Sequence, residues 1–281
     1  MAQQRVAVSE RTPLVFLIFD AIAFWLRNQA VFWLLALPIA GLAAAGAYLV
    51  DTVQQFAFLR RPEGWHFLFA LIYAMFLDRW IKETLLEDAT PCDEVDTLRR
   101  ALVPAPLLMF AILFFVFAMT LSWLQLHGID RNLARWGVPA LAAVPLGTLL
   151  AWLPHLLLWS MAVAFVALLV PAWSAGAPLS LGQAWRLSEP VRPKLFRLVL
   201  GAVLLSMLVS IAALWGAELL PRKPWVPAAM AGVQRLVDCL LLAVVGHVLA
   251  VLFRSLADWQ QPEPEERPFR NMRLRPRSTS R

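Results

Sequence analysis

Six apolar stretches separated by charged clusters set the pattern of the chain: about Val31 to Val50, Trp65 to Phe76, Leu102 to Leu126, Leu149 to Val170, Leu195 to Leu219 and Gln234 to Arg254. Most hold about 20 residues, which at the helical rise crosses a hydrocarbon core of roughly 30 Å. The pattern predicts an all-α fold: a polytopic membrane helix bundle of about six transmembrane helices, with interfacial amphipathic helices at 14–27 and 180–189. Residues 1–258 form the membrane domain, and 259–281, rich in Pro, Glu and Arg without periodicity, read as a disordered basic cytoplasmic tail.

The segment from Pro178 to Leu219 organises the rest. Its first part is too polar to cross a bilayer. Ser180 with Gln183 three residues on fits a capping box. Leu181, Ala184 and Trp185 then make a narrow apolar stripe at helical spacing. Pro190 is expected to end this helix, because it lacks an amide hydrogen and restricts the residue before it. The run Pro190-Val191-Arg192-Pro193-Lys194 reads as an elbow at which the chain leaves the surface and crosses. Trp185 suits the headgroup level, Arg186 lies off the apolar stripe, and Arg197 can snorkel to the surface.

Elsewhere the pattern leaves choices. Leu14 to Leu26, interrupted by Asp20, is either an interfacial helix or the start of one long tilted helix, and the interfacial reading is favoured. Asp20 and Arg27, seven apart, share a face. A signal peptide fits poorly, since an acid interrupts the apolar run. Leu77 to Lys82 extends the second stretch toward the surface. Residues 138–148 read as a surface or re-entrant segment ahead of the fourth span. The stretch Pro221 to Pro227 reads as a proline-rich loop. Ala23-Phe24-Trp25-Leu26-Arg27 and Ala184-Trp185-Arg186-Leu187 resemble each other ahead of spans one and five, as a parallel repeat would require.

Composition changes the picture in one direction. Of 281 residues 60% are hydrophobic and 16% charged, against roughly 45–50% and 25% in soluble domains. The 13 Trp against 2 Tyr fit aromatic belts made mostly of Trp. Cys92 and Cys239 fall in a loop and a span, which excludes a disulfide framework and any metal-ligand spacing. With six spans, 18 of the 25 Lys and Arg residues fall on the side of the termini and 7 on the other. The positive-inside rule then places both termini in the cytoplasm. Tail arginines 267–281 are expected to meet the anionic leaflet of the membrane lipids. Nucleic acid is not the expected partner, because residues 267–281 hold one aromatic residue and no fold is expected there.

Ionisable residues within spans are the places to look for function. The sixth stretch holds Arg235, Asp238 and His247. Arg235 and Asp238, three apart, can pair on one face. His247 lies about 13 Å further along the helix, out of reach of Asp238. His155 follows Pro154 near the start of the fourth span and could converge with His247 in space. One reading of the set is a polar path for an ion or substrate. The plainer and favoured reading is an end-of-helix ion pair plus a packed neutral His. No HExxH, Gly-rich phosphate loop, GxSxG or CxxC occurs, so no catalytic residue, metal or cofactor is assigned.

Val170-Pro171, then Leu179-Ser180-Leu181-Gly182-Gln183-Ala184-Trp185-Arg186-Leu187-Ser188, then Lys194-Leu195-Phe196-Arg197-Leu198 resemble a bacterial family. It is the membrane domain found ahead of some glycerophosphodiester phosphodiesterases, with related stand-alone six-span envelope proteins. The resemblance covers most of residues 14–258 and implies the membrane fold. It does not imply the hydrolase, whose barrel has no counterpart in the 23 residues after Asp258. The expected role is a non-enzymatic structural or envelope-assembly protein of a bacterial inner membrane. The alternative is a transporter or lipid translocase with a polar path near the sixth span.

Overall fold

The computed structural model describes residues 12–52, 62–87, 140–177, 179–219, 223, 225–257 and 259. The described residues are helical throughout, without strand. In chain order they form α1 (Leu14–Arg27), α2 (Gln29–Thr52), α3 (Pro62–Leu85), α4 (Ala140–Val166), α5 (Leu169–Ser174), α6 (Leu181–Ser188), a 3-10 turn (Glu189–Val191), α7 (Arg192–Leu219) and α8 (Trp225–Leu256). Three helical stretches are long and apolar enough to cross a membrane: Gln29–Val50, Leu181–Ala213 and Trp225–Leu256. The chain is a membrane protein. The expected third span at 102–126, the Cys92 loop and the tail arginines lie outside the described residues.

α8 is the centre of the bundle, with α1, α2, α3, α5 and α7 packed on it. Small residues let α2 come close. Ala36, Ala40 and Ala43 are buried at near-helical spacing, and a Cβ on Gly232 would lie 3.3 Å from the carbonyl oxygen of Ala40. In a membrane, where lipid is as apolar as leucine, such close van der Waals packing is a main source of helix association. Gly246 does the same toward α3, where a Cβ would sit 2.7 Å from Leu77 Cδ1. Phe24, Phe32, Phe76 and Trp80 fill the space between α1, α2 and α3, mostly edge to face.

Contacts fix the direction of each helix. Tyr73 meets Asp238 and Thr84 meets His247, so α3 and α8 run the same way. Ser206 meets Asp238 and Ser210 meets Gln234, so α7 runs opposite to α8. α1, the end of α3, the short helices α5 and α6, the start of α7 and the end of α8 gather at one end around Leu85, Leu168, Leu195 and Phe253. α4 ends there too, its Phe165 stacked on Trp185 of α6.

Asn28 separates α1 from α2, its amide N–H and its side chain both donating to the carbonyl of Phe24. α1 is apolar on two sides. Leu17, Ala21 and Phe24 face the bundle, while Val15, Phe16, Phe19, Ile22 and Leu26 are exposed. α5 ends in a Schellman turn: Ala177 N–H bonds the Ala172 carbonyl, Gly176 N–H bonds that of Trp173, and Gly176 takes φ of 71°.

Three expectations are corrected, two of them through proline. At the elbow α6 ends at Ser188, ahead of Pro190, and the residues that follow keep helical angles, with φ and ψ of −49° and −51° at Glu189 and −51° and −43° at Arg192. Pro190 and Pro193 fall in the first turns of new helical segments, where a missing N–H costs nothing. α8 begins at Trp225, because Pro227 likewise sits in its first turn. Residues 140–148 are part of one helix that includes Pro145 and Pro154 and ends at Val166, short of the expected Val170. Finally, Asp78 and Lys82 do not lead to the surface. Both are buried within α3.

Candidate functional site

The buried charged and histidine side chains described on α3 and α8 lie in three polar clusters. The first surrounds Asp238, which is buried. Its Oδ2 accepts hydrogen bonds from Tyr73 Oη at 2.9 Å and Arg235 Nη1 at 3.0 Å. Its Oδ1 accepts from Ser206 Oγ at 2.6 Å. Arg235 Nη1 also donates to Tyr73 Oη at 3.2 Å, and the guanidinium lies 4.4 Å above the Phe69 ring. Helical spacing positions the pair, since residues three apart share a face. Two unlike charges, four hydrogen bonds and an aromatic ring make the cluster neutral and self-contained. The Arg235 side chain stays 26% exposed. Cys239, next to this cluster, is a buried free thiol.

The second cluster lies on α3 one to two turns from its end. Lys82 Nζ donates to Asp78 Oδ2 at 2.8 Å, with the Lys82 side chain only 1% exposed. Ser174 of α5 donates to the other oxygen, Oδ1, at 2.7 Å. Burying either charge alone would cost several kcal/mol, so the pair and the hydroxyl stand or fall together. A surface pair, Arg79 with Glu83 at 2.7 Å, runs along the same helix.

The third cluster joins three helices. His247 Nε2 lies 3.1 Å from Asp20 Oδ2 of α1, and Nδ1 lies 3.4 Å from Thr84 Oγ1 of α3. Phe24 packs against the imidazole, ring centres 4.7 Å apart. His247 is therefore a hydrogen-bonded link between helices and not merely a packed ring. Arg27, on the same face of α1 as Asp20, pairs instead with Glu87 at 3.2 Å.

The structure thus brings Arg235 and Asp238 together and holds His247 apart from them. His155 is not among the partners of His247; its ring meets Trp159 on its own helix. The carboxylate that reaches His247 comes from Asp20. Among the described residues no three His, Cys, Asp or Glu side chains converge as metal ligands would.

At the elbow, Trp185 stacks on Phe165 with ring centres 4.0 Å apart and planes 7° apart. The Arg192 guanidinium lies over both rings, 4.4 Å from Phe165 and 4.8 Å from Trp185, and donates to the Trp185 carbonyl at 2.9 Å. Arg186 and Arg197 are exposed, as is Leu181 beside Trp185. Sequence reasoning singled out Trp185 but missed Arg192 as its partner. It also missed Tyr73, Asp78, Lys82, Thr84, Ser174 and Ser206. The one available signal was the i, i+4 spacing of Asp78 and Lys82. No family model, curated protein or solved structure matches the chain.

Proposed function

We propose that the chain is a six-span protein of a bacterial inner membrane with a non-enzymatic, structural or envelope-assembly role, both termini in the cytoplasm. Six spans make α3, α4 and α8 spans two, four and six, which must run the same way. All three do run toward the end that carries α1 and α6. The likeness to the membrane domain ahead of glycerophosphodiester phosphodiesterases belongs to this reading, as does contact of the basic tail with anionic lipid.

One observation carries the structural role. The buried charges close on one another: Asp238 takes three hydrogen bonds and Asp78 two, each from side chains of the bundle. Polar groups satisfied in this way lock helices together, whereas a transport path needs groups left open to a passing ligand. The 26% exposure of the Arg235 side chain favours the second reading, a transporter or lipid translocase, because it leaves part of a cation turned away from its partners.

Cys239 separates the two. With Cys92 replaced by Ser, the native thiol is treated with a small water-soluble maleimide in intact membranes. Protection of Cys239 until the protein is denatured is the expected result and fits a closed bundle. Rapid labelling in the folded protein would bring water to the Asp238 cluster and put the translocase reading ahead.

A further inference from the structure

α7 leaves one of its faces to the membrane. The stretch Leu181–Ala213 is the least buried of the three that are long enough to cross, 17% of its most apolar part against 33% for Gln29–Val50 and 56% for Trp225–Leu256. Leu195, Leu198 and Met207 of α7 face the bundle. Away from them Arg197, Gly201, Leu205, Leu208 and Ala212 are exposed, three or four residues apart, so they line up as one stripe. The stripe begins with a cation and continues with a glycine and two leucines. At the helical rise Arg197 and Leu208 lie about 16 Å apart, close to the depth of one leaflet, roughly half of a 30 Å hydrocarbon core.

Three features set the stripe apart from an ordinary lipid-facing side. Arg197 has no hydrogen-bond or ion-pair partner among the described residues, whereas Arg192 on the first turn of the same helix is seated on Phe165 and Trp185. A Cβ at Gly201 would meet nothing within 4 Å, so an open notch separates Arg197 from Leu205. Arg192, Lys194 and Arg197 are followed by no acidic residue before Glu218. The head of the stripe is therefore positive and the rest of it neutral.

We propose that this face of α7 binds an anionic phospholipid, its phosphate on Arg197 and an acyl chain laid through the Gly201 notch along Leu205 and Leu208. The guanidinium is a planar fork of N–H donors that matches a phosphate. A zwitterionic lipid brings its own cation to that phosphate, so the positive head of the stripe favours a lipid with net negative charge. A second copy of the chain fits less well. Packed here about an axis normal to the membrane, it would set Arg197 against its own equivalent, a repulsive pair. The site requires only that α7 crosses the membrane, whatever the number of spans.

Quenching by brominated lipid tests the site. The full chain, with Cys92→Ser and Cys239→Ala, carries a bimane label on Leu208→Cys at the lower end of the stripe and is reconstituted in phosphatidylcholine vesicles. A small fixed fraction of the lipid is then replaced by brominated phosphatidylglycerol or by brominated phosphatidylcholine. Bromine quenches only on contact, so the label reads this face and not the basic tail. Phosphatidylglycerol is expected to show an affinity about fivefold above that of phosphatidylcholine, the gain of one arginine near an anionic group. Arg197→Gln removes the charge and Gly201→Leu fills the notch, and each should abolish most of the preference while quenching by phosphatidylcholine persists. Equal quenching by the two lipids with Arg197 and Gly201 in place would overturn the proposal, since only unselective lipid would lie there. So would the absence of quenching by either, because protein, a second copy or the expected span at 102–126, would then cover the face. A preference that survives in either variant would overturn it too, because its source would lie elsewhere.

Discussion

Two acid–base pairs lie at the same end of the bundle and behave as opposites. Asp78 and Lys82 sit one turn apart on α3, 2.8 Å from each other, with Ser174 closing the remaining carboxylate oxygen. Asp20 and His247 belong to helices at opposite ends of the chain and meet at 3.1 Å, with the acid half-exposed. Both bases are buried, at 1% and 4% exposure, so burial of the base is not what separates them. Access to the acid is. A pair within one helix keeps its spacing whatever the neighbouring helices do. A pair between helices exists only while they are docked, so it can report on docking or control it.

The sharpest way to break the first pair is to remove one member. Lys82→Met leaves the Asp78 carboxylate buried with one serine hydroxyl, and should cost about 3–5 kcal/mol. The double variant Asp78→Leu with Lys82→Met removes both charges and should recover most of that loss. Unfolding in detergent by titration with a denaturing surfactant reads both. A single variant as stable as the unaltered protein would mean that water reaches Asp78, and the contrast between the pairs would vanish.

A smaller effect is expected where α8 packs on α3 between the two pairs, at Gly246 against Leu77, the neighbour of Asp78. Gly246 precedes His247, and a methyl there would sit 2.7 Å from Leu77 Cδ1. That atom is the far end of a flexible side chain, so Leu77 can turn aside. Gly246→Ala should therefore cost about 1–2 kcal/mol, the lower part of the overpacking range. Leu77→Val, with a shorter reach, should recover part of it in the same unfolding assay.

How much of this was legible depends on what carries each feature. The helical membrane character follows from hydropathy, because an apolar run of span length has few other uses. Helix limits near Pro145 and Pro227 were not legible. A proline breaks a soluble helix interior, but it is harmless in a first turn and tolerated in a membrane helix. Asp78 and Lys82 were read as an exit to the surface because each is costly alone, and only their mutual neutralisation allows burial. The spacing of Arg235 and Asp238 was readable, since both partners share a helix. Asp20 and His247 are 227 residues apart, and no local pattern can announce such a meeting.

At the edge of the molecule the same reasoning predicts the smallest change. α6 begins with a capping box: Ser180 Oγ accepts from Gln183 N–H at 3.3 Å, and Gln183 Oε1 accepts from Ser180 N–H at 2.8 Å. Both bonds are exposed to their surroundings, so water can replace them in part. Ser180→Ala removes the longer and weaker of the two and leaves the other intact. The cost should be about 0.5–1 kcal/mol, at the low end for a cap. The stacking of Trp185 on Phe165 and Arg192 holds the helix independently of its first turn. Faster exchange should accordingly be confined to the amides of the first turn, Gln183 and Ala184 among them, while those from Arg186 onward keep their protection. Exchange that spreads through Ser188 into α7 would mean that the cap governs the whole elbow. The edge would then be as cooperative as the buried pair on α3.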